Sequence, residues 1–277
     1  MKKKDMSINA QKFIDNYLYF LRNKDYGTVK DIDTYFQTLD NKEQGEVLQY
    51  RDGIGDNLLM KSIHFGETAA AIWLIKNNIS LEQSDNSTKS PLIHAINKGM
   101  TNVSLALIEY NCDINYAVSK DNKKIGDNAL IYACYKKNID VVDALLNKGV
   151  DTTYHNEFGR NALFFCIDNK ELPQSALLRK LLPYMLKEAE AIDITGFSLI
   201  DIIVRNGTTE HFDALLEYNL FKSIEFNSLV NSKTDLNNIN DDNKREELIK
   251  YWTSHKLKNT LERELSYKEN SFPKLKI

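Results

Sequence analysis

The stretch from Gly126 to Gly149, GDNALIYACYKKNIDVVDALLNKG, constrains this chain more than any other. A Gly-Asp-Asn-Ala-Leu turn opens it, and a short apolar run follows with Leu130, Ile131, Ala133 and Cys134. Lys136-Lys137-Asn138 breaks that run, and Val141, Val142, Ala144, Leu145 and Leu146 carry a second one to Gly149. This spacing predicts two short antiparallel helices joined by a tight turn. A helix of roughly ten residues does not persist alone in water, because nucleation costs more than so few hydrogen bonds return. The unit therefore has to stack on others of its kind.

Those others are present. The turn followed by its apolar anchor recurs at Leu59, Leu92, Leu130, Leu163 and Ile200, with spacings of 33, 38, 33 and 37 residues. Three residues after each anchor stands Ser62, Ala95, Ala133, Cys166 or Ile203, and an apolar residue comes next in every copy. Seven residues after it stands Gly66, Gly99 or Gly207, where a turn needs positive φ, with Lys137 and Lys170 as departures. An apolar pair closes the second helix at Leu74-Ile75, Leu107-Ile108, Leu145-Leu146 and Leu215-Leu216. In the fourth copy that pair is delayed to Leu181-Leu182 by extra residues.

The period, the turn read as G-x-[TSN]-[PLA]-L, the small residue after it and the Leu-Leu pair before Gly or Asn resemble the ankyrin repeat. Ser90-Pro91-Leu92-Ile93-His94-Ala95 is similar to the family's T-P-L-H-x-A box, with its His one place late. The resemblance implies an all-α fold, a solenoid of helix-turn-helix units carrying short β-turn fingers. The array is expected over residues 51–220, with a helical cap at 1–50 and a second helical cap and tail at 221–277. In the first cap, Phe13, Ile14, Tyr17, Leu18 and Leu21 share one helical face, then Val29, Ile32, Phe36 and Leu39 share another, and a short segment around Glu46-Val47-Leu48 follows. End units of an array need such cover because they would otherwise expose an apolar face.

Composition excludes several classes. A net charge of −3 gives no general basic footprint for nucleic acid. Cys112, Cys134 and Cys166 are too few for a disulfide framework and are expected as core thiols. His64, His94, His155, His211 and His255 show no metal-ligand spacing. The Met-Lys-Lys-Lys start lacks the apolar core of a cleaved leader, and no apolar run has membrane-spanning length. The protein is expected to be cytoplasmic as made, and any export to use no removable signal.

No catalytic constellation stands out. Gly53-Ile54-Gly55 lacks the strand and the Lys-Ser/Thr of a phosphate loop, and Cys166 with His155 fails as a thiol and base because the repeat register buries Cys166. No enzyme, cofactor or metal is therefore expected. Two insertions break the repeat. Tyr116 to Lys124 lengthens the third finger, either as a solvated tip or as a reach toward a partner, and Asn169 to Gln174 lengthens a turn on the opposite edge. Beyond an Asn/Asp-rich passage, residues 244–268 read as helical with a stripe that shifts near Ser254, either a cap with a solvated tail or an apolar offer to something else.

The resemblance also implies where a partner is read: the finger residues before the box and the exposed end of the inner helix. Carried over copy by copy, these fall on Ile54, Asp56, His64 and Phe65, then Lys89, Asn97 and Lys98. Asp127, Tyr135 and Lys136 follow, then Phe158, Arg160 and Asp168, and finally Phe197 and Arg205. Aromatic, His and Arg residues at exposed positions are the raw material of interface hot spots. Four readings follow in order: an interaction module, such as a bacterial effector acting on a host protein; an immunity protein neutralising a toxin; an enzyme built from the finger and the C-terminal helices; and nucleic-acid binding. A monomer when free is expected.

Overall fold

The computed structural model describes residues 6–23, 26–82, 89–120, 123–167, 175–196, 198–199, 202–203, 208–218, 250 and 254. The expected C-terminal helices lie outside these residues, except for Lys250 and Ser254. The chain divides into two compact units, Met1–Phe165 and Cys166–Ile277, so the boundary falls inside the fourth repeat.

In the first unit the repeat columns become turns and caps. Helices α4 (Leu58–Phe65) and α5 (Thr68–Lys76) form the first pair, α6 (Pro91–Asn97) and α7 (Thr101–Glu109) the second, and α8 (Ala129–Tyr135) and α9 (Ile139–Asn147) the third. Asn57, Ser90 and Asn128, two residues before each anchor, cap the first helix of each pair, accepting from the N–H of Met60, Ile93 and Ile131. Each satisfies a donor that the first turn leaves without an intrahelical partner. Gly66, Gly99 and Lys137 turn the chain between the helices with φ of 75, 70 and 57°. Lys137 thus takes the left-handed conformation of the Gly column it departs from. Asn78, Asn111 and Gly149 end the second helices in the same conformation, as short polar residues and glycine do at helix C-termini.

The anchors Leu59, Leu92, Leu130 and Leu163 are all buried in one of two rows of stacked helices. One row runs α1 (Ile8–Arg22), α4, α6, α8 and a single 3-10 turn at Ala162–Phe165; the other runs α2 (Val29–Gln37), α5, α7 and α9. The N-terminal pair lacks the box yet occupies both rows, because aromatic bulk replaces the anchor. Phe13, Tyr17, Phe36 and Trp73 pack with ring centroids 5.2 to 6.3 Å apart. Tyr17 Oη and Ser62 Oγ share a buried 2.7 Å hydrogen bond, and Trp73 Nε1 donates to Asp33 at 2.9 Å. The short segment expected near Val47 is a full helix, α3 (Asn41–Leu48), with an Asp40/Glu43 capping box. The fourth repeat departs the other way: its first helix shrinks to the 3-10 turn.

The lengthened third finger is a hairpin, β1 (Ala117–Lys120) paired antiparallel with β2 (Lys123–Asn128), whose register shifts between Ala117 and Ser119. Gly126 is needed there because a Cβ would lie 2.8 Å from Val118 Cβ and 3.1 Å from the Val118 carbonyl. Gly126→Ala is expected to cost about 1–3 kcal/mol in a denaturant titration, since overpacking against backbone has no flexible side chain to yield. An unchanged midpoint would contradict the close approach. At the base, Tyr154 Oη donates to the Gly126 carbonyl and Asn156 Nδ2 to Asp127 Oδ1.

In the second unit α10 (Ala176–Leu181) packs on α11 (Thr209–Glu217), and Arg179 holds Glu217 with N–O distances of 3.1 to 3.3 Å. The delayed pair Leu181-Leu182 is fully buried, and a bridge between Ile192 and Ser198 closes a further finger.

Candidate binding face

The fingers of the first unit are shaped by one polar residue seven positions before the anchor. Asp52 Oδ1 accepts from the N–H of Ile54 and of Asp56, and Asn156 Oδ1 from the N–H of Phe158 and of Arg160, each at 3.0 Å. Gly55 and Gly159 complete these turns at φ of 88 and 73°. The second unit repeats the device with Asp193 and Gly196. These turns hold Ile54 and Phe158 out at the tips, each about half exposed.

Behind the tips the ends of α4, α6 and α8 present a second line. Phe65 and Tyr135 are 42 and 60% exposed, and His64, Asn97, Lys98 and Lys136 are exposed beside them. Contacts cross between the first two repeats: the His64 and His94 rings meet edge-on at 5.0 Å, and Lys98 Nζ donates to the His64 carbonyl at 3.0 Å. Lys89 Nζ lies 5.1 Å from the centre of the Tyr132 ring, and Lys136 Nζ 5.5 Å from that of Tyr135, both within cation–π reach.

Asp56 corrects its expected place on the surface. It is 3% exposed, and its carboxylate stands 3.4 Å from Lys61 Nζ and 3.5 Å from His64 Nδ1. Lys61 also meets Asp52 at 2.5 Å. Asp56 is thus an internal brace that ties the finger to α4. Burial disfavours the charged Asp52, but the Lys61 ammonium and two backbone N–H groups outweigh it and hold its carboxyl below the usual range. Asp127 is half-buried and receives Asn156, and Lys89 and Arg160 are half-buried. Asp168, Phe197 and Arg205 lie outside the described residues.

The carried-over pattern omits His94 and Tyr132. They stand two residues after the anchor, in a column with Lys61 and Phe165, and one helical turn before Asn97 and Tyr135. Extending each exposed helix-end position back by three residues would have found them, since residues three apart share a helix face. Among the described residues no group of three or more His, Cys, Asp and Glu is placed to hold a metal ion, and no described helix is long and apolar enough to cross a membrane. The three cysteines are buried thiols, with Cys112 pushed up to about 12 by burial.

A family model described as ankyrin repeats in three copies matches residues 116–184. The chain contains ankyrin repeats. Ankyrin repeats are protein–protein interaction modules. Among solved structures, an ankyrin repeat domain from Acinetobacter baumannii AYE is 20% identical with a TM-score of 0.57, covering 73% of this chain and 97% of that one. A chain from the complex of a predatory endopeptidase of Bdellovibrio bacteriovorus with an immunity protein is 17% identical with a TM-score of 0.50, covering 79% and 100%. Another crystal structure of an ankyrin repeat protein is 24% identical with a TM-score of 0.49, covering 66% and 95%. A search of curated proteins finds no match.

The histidine pair is expected to make the first unit sensitive to acid. Burial, then His64 and Lys89, pull His94 down from 6.5 to about 4, and burial also lowers His64. A depressed imidazole contributes stability that is complete above its unfolded value and is lost as pH falls from 6.5 toward 4. Because His94 is partly solvated, the loss is discounted to about 1–2 kcal/mol. His94→Gln is expected to flatten this part of the stability profile in denaturant melts between those pH values. Parallel wild-type and variant profiles would contradict the assignment.

Proposed function

We propose that this ankyrin repeat protein is a non-catalytic binding protein that grips a single partner protein on its inner face and is a monomer when free. The observation that carries this reading is the line of exposed Ile54, Phe65, Tyr135 and Phe158 beside exposed Lys98 and Lys136. Apolar and aromatic anchors rimmed by polar groups supply most of the binding energy in interfaces, because they desolvate fully against a partner. On this reading the partner is either a host protein met by an exported effector or a bacterial toxin neutralised by an immunity protein. The fold likeness to a chain from an endopeptidase–immunity complex supports keeping the second.

Capture from host-cell and bacterial lysates by the wild type and by Phe65→Ala/Tyr135→Ala/Phe158→Ala separates these outcomes. The triple variant is expected to bind about 100-fold more weakly, at roughly 1 kcal/mol for each lost anchor after allowance for non-additivity. Its melting temperature should fall by only a few degrees, because all three side chains are at least 42% exposed. A host protein lost with the variant supports the effector reading, and a toxin lost with it supports immunity. A partner held equally by both proteins overturns the inner face.

A further inference from the structure

The chemistry of the inner face points to the kind of segment it accepts. Although the chain carries a net charge of −3, the exposed helix ends of this face carry two lysines, Lys98 and Lys136. Of its acids, Asp52 and Asp56 share Lys61, with Asp56 also beside His64, and the half-buried Asp127 accepts from the Asn156 amide. Glu157 stands exposed at the fourth finger. Against it are Lys89, Lys98, Lys136 and Arg160, of which Lys98 and Lys136 are exposed at the same register of adjacent helices, α6 and α8. Lys98 gives one donor to the His64 carbonyl, and an ammonium has three.

We infer that the inner face receives an extended acidic segment of a partner protein, its carboxylates meeting Lys98 and Lys136 and its backbone crossing the helix row over Tyr132 and Tyr135. This deepens the function proposed above and rests on it. Packed helices lie about 8–10 Å apart, and an extended chain advances about 3.3 Å per residue. Carboxylates two to three residues apart in the segment therefore match lysines on neighbouring helices. The aromatic rings supply contact area between the charges at low entropic cost, since each side chain turns about only two torsions. Nucleic acid, the other polyanion, is disfavoured because its binding draws on many phosphate contacts, and this face aligns few cations within a negative chain.

The test is selection of a phage-displayed library of random 12-residue peptides on the full chain, followed by titration of the enriched peptides against the wild type, Lys98→Glu/Lys136→Glu and Tyr135→Ala/Phe158→Ala. The expected result is enrichment of Asp and Glu two or three residues apart, with about tenfold weaker binding to the charge-reversed variant and affinity that falls with salt. Neutral or basic peptides that bind the wild type but lose affinity for the aromatic variant would overturn the acidic segment and leave the inner face standing. Acidic peptides indifferent to both variants, or no enrichment, would overturn both. A 12-residue oligothymidylate bound more tightly than the acidic peptides would overturn the assignment to a protein partner.

Discussion

Tyr17→Ala is expected to destabilise the first unit by about 4 kcal/mol, which lowers the melting temperature by roughly 8–16 °C for a body of this size. The side chain is fully buried, stacks toward Phe13 and Trp73, and shares its hydroxyl with Ser62 on α4. Truncation opens a cavity where the N-terminal pair meets the first repeat. Tyr17→Phe separates the two contributions: it keeps the ring and removes only the hydroxyl bond, for about 1 kcal/mol, because Ser62 retains its bond to the Leu58 carbonyl. Urea melts followed by Trp73 emission, in a Trp252→Phe background, report on the residue that Tyr17 touches. A loss below about 1 kcal/mol for Tyr17→Ala would mean that α1 is a detachable cover and not a member of the stack.

Leu130→Ala is expected to cost about 3–5 kcal/mol, the range of a buried leucine whose surroundings cannot collapse. Leu130 sits in the middle of its row, where α8 packs on α6 before it and on the 3-10 turn after it. In an array of nearest-neighbour contacts, damage at an internal unit weakens two interfaces, whereas damage at an end weakens one. Leu105→Ala, at a half-buried position of α7, is the control and should cost roughly 1 kcal/mol or less. Similar losses for the two substitutions in calorimetry would contradict the placement of the anchor column at the centre of the fold.

The repeat was legible because its columns obey local rules. A cap two residues before Leu, a left-handed turn seven after it and a second left-handed stop are each set by residue chemistry within a few positions, and Lys137 shows that the column outlasts its glycine. What was not legible depends on non-local partners. The N-terminal pair stacks through Phe13, Tyr17 and Trp73, a substitute core with no box to announce it. The third finger pairs into a hairpin because the chain length inserted there lets two strands meet, which composition alone did not distinguish from a solvated tip. Asp56 looked like a surface reader until Lys61 and His64, on the next turn of chain, enclosed it. His94 and Tyr132, by contrast, were legible from helical spacing alone, one turn before Asn97 and Tyr135, and the family pattern simply does not include them.

The measurement that bears most directly on the inner face is amide hydrogen exchange of the full chain with and without its captured partner. Slowed exchange is expected at the finger turns around Ile54 and Phe158 and at the ends of α4, α6 and α8, with α5, α7 and α9 unchanged. Protection confined to α5, α7 and α9, with the fingers unchanged, would contradict the inner-face assignment.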